Sequence, residues 1–95
     1  MAKLHKTETV AAAARTLRTL AHPVRMKVVE FLADKEQNVG TIQKHLKIEQ
    51  AVTSQHLKKL SDSGLVNKRR EKNFMYYSQN TKVLKGIDKL INDIS

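Results

Sequence analysis

The stretch QAVTSQHLKKL, residues 50–60, is patterned as a helix with little to anchor it in a core. Thr53, Leu57 and Leu60 recur at spacings of four and three, which places them on one narrow stripe. Gln50, Ala51, Ser54, Gln55 and Lys58 point elsewhere. A polar helix face is ordinarily just a solvated one, so its neighbours must decide what this face is for.

Upstream, Gly40 to Lys47 reads as a short helix with Ile42 and Leu46 inward, and Lys47-Ile48-Glu49 is a brief turn into the longer helix. That helix is expected to run to about Ser63. Gly64 then ends it, as glycine does when it takes the left-handed conformation beyond a last turn. LVNKRREKNFMYYS follows, with β-branched and aromatic residues flanking a charged centre at Glu71-Lys72-Asn73. This is the pattern of two strands joined by a tight turn, with Asn73 the candidate for a positive φ.

Farther out, residues 1–6 read as a loose basic arm. A helix begins at Thr7, with Thr9 a possible cap and Val10, Ala14, Leu17 and Ala21 on one stripe. His22-Pro23 interrupts it, because the residue before a proline is pushed out of the helical region and proline suits a first helical turn. A second helix therefore starts near Pro23, with Val24, Val28, Phe31 and Leu32 as its core face, and Asp34 to Val39 is a polar connection. Thr81 to Ile94 is helical with two apolar rows, Val83, Ile87, Leu90 and Ile94 beside Leu84 and Ile91. So wide a stripe needs two surfaces, its own domain and a second subunit. The expected dimer contacts are Val10, Ala14, Leu17, Val83, Leu84, Ile87, Leu90, Ile91 and Ile94.

Four or five helices with a small two-stranded hairpin after the fourth make a mainly α fold, a winged helix-turn-helix. With no linker, repeat or low-complexity stretch, residues 1–95 form a single domain whose N- and C-terminal helices serve dimerisation. A chain of 95 residues buries only roughly 60–65% of its unfolded surface, which favours pairing.

Eighteen Lys and Arg against nine Asp and Glu give +9 and imply a polyanionic partner. The apolar runs are too short to span a bilayer. The alanines after Val10 are broken by Arg15 and Arg18, unlike a signal peptide, so the expected location is cytoplasmic. With no cysteine, disulfides, thiolate metal sites and thiol redox sensing are excluded. No glycine-rich phosphate loop, paired carboxylates or activated nucleophile is visible, so neither an enzyme nor a cofactor is expected.

In a helix-turn-helix the second helix lies in a major groove about 12 Å wide and needs small or flat polar side chains on its outer face. Gln50, Ala51, Ser54, Gln55 and His56 are the candidate base contacts. Lys44, Lys58, Lys59, Lys68, Arg69, Arg70 and Lys72 are the candidates for the DNA backbone, Arg69→Ala being expected to flatten the salt dependence. From Lys44 to Lys72 eight basic residues face three acids, so charge concentrates where this geometry needs it. His45 and His56 lie on successive helices and could be close, but two imidazoles without a carboxylate or thiol partner make a poor site, and no metal is expected. His22 helps the helix boundary. A protein-interaction module and a non-specific DNA-coating protein are the alternatives; the first needs no such cations, and the second would not prefer one sequence by about 10³-fold.

LRTLAHPVRMKVVEFL followed by QAVTSQHLKKLSDSGLVNKRREKNFMYYS resembles the ArsR family of small dimeric bacterial repressors. Leu20-Ala21-His22-Pro23 and Arg25 match the start of its second helix. Ser54, His56-Leu57, Leu60, Gly64-Leu65-Val66, Arg70 and Tyr76-Tyr77 match its recognition helix and wing. The resemblance implies a homodimer joined by the first and last helices that binds an inverted-repeat operator and represses when its ligand is absent. No residue set assigns an inducer. Many metal-sensing members carry a cysteine motif where this chain has Asn38-Val39-Gly40-Thr41-Ile42, and others use acids and histidines of the C-terminal helices. Here the last helix has Asp88 and Asp93 but no histidine, and Lys72 stands where the family's wing turn often has glycine.

Overall fold

The computed structural model describes residues 4–95; the first three residues of the expected arm lie outside it. The chain runs α1 (Thr7–Leu20), α2 (Pro23–Phe31), β1 (Gln37–Asn38), α3 (Val39–Leu46), α4 (Gln50–Asp62), β2 (Val66–Glu71), β3 (Phe74–Gln79) and α5 (Thr81–Ile94). This is a winged helix-turn-helix, and its sheet gains one strand over the expected pair.

Most boundaries have a local cause. Pro23 is the first residue of α2, and the His22 side chain caps it by accepting from Val24 N–H at 3.2 Å. Asn38 caps α3 through Thr41 N–H at 2.9 Å, and Asn80 caps α5 through Val83 N–H at 3.3 Å. Thr9 does not cap α1. Val10 N–H already bonds the Lys6 carbonyl at 3.1 Å, so the helix closes one turn earlier and Thr9 lies inside it. The arm is also less loose than expected, since His5 bonds Asp93 at the far end of α5 at 2.9 Å.

Helix α4 stops as glycine at residue 64 requires. Gly64 sits at φ +80°, its N–H bonds the Ser61 carbonyl at 3.0 Å, and Leu65 N–H reaches back to the Leu60 carbonyl at 3.0 Å. These are the paired bonds of a Schellman cap, and the apolar contact that goes with them joins Leu60 and Leu65, both fully buried. The cap thus aims the chain from the second helix of the pair into the wing.

The core lies under the helix-turn-helix and the wing root. Val28, Val29 and Leu32 of α2, Ile42 of α3, Leu57 and Leu60 of α4, and Leu65 and Val66 form one buried cluster. Each large aliphatic side chain buried there contributes about 1.5–3 kcal/mol. Val29 takes the place expected for Val24, which is half-buried, and Phe31 is half-buried against His45 with ring centroids 3.9 Å apart and nearly parallel. Thr53 is the buried polar residue among them, and its hydroxyl donates to the Glu49 carbonyl at 3.0 Å. By contrast α1 buries no side chain and α5 only Leu90.

The sheet order is β1-β3-β2, all antiparallel. Strand β1 is two polar residues of the expected connection, paired with Tyr76 and Tyr77. In the wing, Glu71 pairs with Phe74, which leaves a two-residue turn of Lys72 and Asn73. Lys72, not Asn73, takes the positive φ, at 54°. A two-residue hairpin turn with the left-handed residue first is the arrangement that favours glycine there.

Two substitutions separate backbone strain from packing. A Cβ on Gly64 meets nothing within 4 Å, so Gly64→Ala is expected to cost only the left-handed penalty, about 1–2 kcal/mol. Lys47, at φ 58° at the end of α3, carries that strain already, and Lys47→Gly is expected to raise stability by up to about 1 kcal/mol. Denaturant midpoints at constant slope check both; a Gly64→Ala protein as stable as the parent contradicts this account of the cap.

Candidate nucleic-acid interface

Rotation by 100° per residue separates the surfaces of α4. Thr53, Leu57 and Leu60 face the core, and Gln50, Ala51, Ser54 and Gln55 are all exposed. No side chain caps the first turn of α4, so its leading N–H groups also open outward beside these residues. The left-handed Lys47 ends α3 and turns the chain so that α4 follows at once.

His56 lies apart from this face. It is half-buried, on the flank of α4 toward α2, and its Nδ1 accepts from Arg25 Nε at 3.2 Å. Its ring stands 4.7 Å from that of His22, and Arg25 Nη1 donates to the Thr19 carbonyl at 3.0 Å. Burial, and after it the nearby His22, Arg25 and Lys59, hold the His56 imidazole below its ordinary range. Its expected part in base contact is therefore revised, because Nδ1 and one ring face are engaged inside the protein. His45 and His56, which could have been close, have different ring partners: His45 stacks on Phe31, and His56 lies tilted against His22.

The cations divide into free and engaged groups. Strand alternation puts Lys68 and Arg70 on the face of Val66, and Arg69 and Glu71 on the other. Arg69 binds Glu36 with both arms, Nε to Oε2 at 3.2 Å and Nη2 to Oε1 at 2.5 Å, and its Nη1 lies 3.2 Å from Glu71. Its guanidinium also rests 4.8 Å over the ring of Tyr76, its cross-strand partner. The hydrogen bond from Arg69 draws the Glu36 carboxyl below its usual range and raises Arg69 in turn. Arg69 is thus a clamp between the wing and the segment before β1, and it does not stand free as a phosphate ligand. Lys58 pairs with Asp62 at 3.0 Å on the exposed side of α4. Among the described residues Lys44, Lys47, Lys59, Lys68, Arg70 and Lys72 make no ion pair.

The expected dimer residues also divide. Leu90 is buried within its own chain, and Val83, Leu84 and Ile87 pack partly on the core. Val10, Ile91 and Ile94 remain 46%, 43% and 66% exposed, and Ala14 and Leu17 are half-buried. Of the residues that carry this geometry, the sequence reading gave no role to Glu36 or Arg25. Glu36 has no local signal, its partner being 33 residues away. Position did signal His56, since it follows Thr53 by three residues and precedes Leu60 by four.

Residues 22–68 match the model of the bacterial regulatory protein, arsR family, a span that begins at the His22 cap and ends in the wing. The chain is 43% identical over 83 residues to the transcriptional repressor PagR of Bacillus anthracis, covering 85% of this chain and 82% of that protein. Its structure superposes on that of HlyU from Vibrio cholerae with a TM-score of 0.79 at 32% identity, covering 92% of this chain and 96% of that one. NolR from Sinorhizobium fredii gives a TM-score of 0.75 at 33% identity, over 97% and 95% of the two chains. With the family model, the identity to PagR and the fold all in agreement, the chain belongs to the arsR family of bacterial regulatory proteins.

Proposed function

We propose that this protein is a homodimeric transcriptional repressor that reads an inverted-repeat operator in double-stranded DNA, working in the cytoplasm where bacterial DNA lies. The observation that carries the reading is the division of α4. Its anchors Thr53, Leu57 and Leu60 have no exposed surface, while Gln50, Ala51, Ser54 and Gln55 lie open. Amide side chains pair with adenine edges, serine with several bases, and the alanine methyl with thymine. Lys44, Lys59, Lys68, Arg70 and Lys72 supply contacts to the sugar-phosphate backbone, with Lys58 sharing its charge with Asp62. PagR carries the name of a repressor and HlyU that of an activator. Repression is the simpler mechanism here, because a bound dimer occludes its site with no further surface.

Pairing is supported by shape. A folded monomer of 10.8 kDa has an accessible surface of about 5,500 Å² by the usual scaling, and this chain has 6940 Å². Its radius of gyration, 14.6 Å, likewise exceeds the approximately 12.4 Å of a compact chain of this length. The excess in surface, about 1,400 Å², is more than one side of a standard interface, about 800 Å², would cover. α1 and α5 bury one side chain between them, which supports placing the interface there. Two-fold pairing places the reader helices in successive major grooves about 34 Å apart.

Three outcomes are expected. Gln55→Ala should lower the preference for a selected operator over random duplex about tenfold and leave random-duplex affinity unchanged, as read by fluorescence anisotropy; equal weakening of both would remove Gln55 from base contact. Glu36→Gln should release Arg69 and steepen the log affinity–log salt slope by up to about one unit; an unchanged slope means Arg69 does not reach phosphate even when freed. Ile91→Glu with Ile94→Glu, both exposed in the single chain, should raise the dimer dissociation constant at least about tenfold in sedimentation, and an unaltered dimer would place the interface elsewhere.

A further inference from the structure

A stripe of three side chains fixes how deeply α4 sits, but it is narrow enough to leave the helix's roll about its own axis to contacts on its flanks. On the flank toward α2 the polar contact is His56. Arg25 donates Nε–H to His56 Nδ1 and Nη1–H to the Thr19 carbonyl, which joins α4 to α2 and to the end of α1. The His22 ring packs against His56 at 4.7 Å, while its own Nδ1 accepts from Val24 N–H to cap α2. One cluster therefore ties the reader helix to two other helices and to the turn between them.

The chemistry of the cluster depends on charge. Both Nδ1 atoms accept hydrogen bonds, and for His56 this arrangement belongs to the neutral ring with its single proton on Nε2. A second proton on His56 would point its Nδ1–H at the Nε–H of Arg25. The charged neighbours offer no compensation: Arg25 comes from α2 and Lys59 from α4. Arg15 of α1 and Asp62 line the adjoining cleft with them, and Asp62 already pairs with Lys58. Among the described residues no carboxylate bonds either ring.

We propose that His22, Arg25 and His56 are positioning residues that set the roll of α4, and that they do so only while the His56 imidazole is neutral, so that base-specific binding is lost on mild acidification while the non-specific grip on duplex is kept. The inference rests on the reading of α4 as the helix that contacts bases. Burial lowers His56 below its ordinary value of 6.5, so the fold favours the neutral ring. The latch is complete above that value and fails as pH falls through the lower one of the folded state. Protonation also adds positive charge, which strengthens attraction to any phosphate. Specific and random affinities therefore move in opposite directions, and a general electrostatic effect cannot imitate that.

The test has two arms on the intact protein. In the first, anisotropy from pH 8 to 5.5 at fixed ionic strength compares a duplex selected at pH 7.5 with a random one. The ratio of their affinities is expected to fall at least about threefold by pH 5.5. His56→Gln, which keeps an acceptor for Arg25 and cannot be charged, should hold its ratio flat. A parent ratio that does not fall, or a His56→Gln protein that keeps the parent's slope, overturns the proposal. In the second arm, NMR of the free parent protein follows the His56 ring and the amides of residues 50–55 through the same range. They are expected to shift with one midpoint below 6.5, and amides that ignore the His56 transition overturn the proposal without any DNA. If the amides follow His56 but no duplex is preferred at pH 7.5, the latch stands and the reading of α4 as a base-contacting helix is what fails.

Discussion

Thr53, Leu57 and Leu60 have no exposed surface, and the rest of the molecule is arranged so that they do not. They press against α2, α3 and the wing root, where Val28, Leu32, Ile42 and Leu65 complete the cluster. The Schellman cap at Gly64 then folds the chain back over Leu60, which sets where β2 begins and so where the wing points. Because the buried stripe is narrow, most of the circumference of α4 is left for other uses. A helix anchored on a wider face would have no room for four exposed small or amide side chains at its start.

Polar connections complete what packing begins. The Glu36–Arg69 pair ties the wing to the segment before β1, and the Tyr76 ring lies against the same guanidinium. Such an exposed pair adds little to stability, but its two-armed geometry restricts how the hairpin can swing. It also withdraws one cation from a surface whose net charge suggests uniform stickiness. Around α4, Lys44 of α3, Lys59 of α4 itself, and Lys68, Arg70 and Lys72 of the wing make no ion pair among the described residues.

Legibility in the sequence followed the range of the interactions. The break at His22-Pro23, the stop at Gly64 and the limits of α5 have causes within a few residues, and pattern reading located them. Strand β1 has no such cause: Gln37 and Asn38 are a strand only because β3, almost forty residues on, supplies its hydrogen bonds. The turn residue was misassigned because Asn is the better left-handed residue in isolation. Cross-strand register, which places Lys72 first in the loop, overrides that preference. Among the site residues, exposure of Gln50, Ala51, Ser54 and Gln55 follows from helical periodicity alone. Helical spacing signals that His56 lies near the buried stripe, but the partners that engage it and Arg69 are more than thirty residues away, and no local rule identifies those partners.

The fourteen residues of α1 bury no side chain of their own. A helix of that length is marginal in water even when rich in alanine, and fixing its backbone costs about 1–2 kcal/mol per residue. Its order is therefore borrowed from whatever lies against it, and with the partner copy proposed above that neighbour is another molecule of the same kind. In that proposed dimer mass action would enter folding itself: dilution would loosen the chain, and accumulation would complete it. The abundance of a regulator paired in this way would set how much of it is structured as well as how much of it is bound.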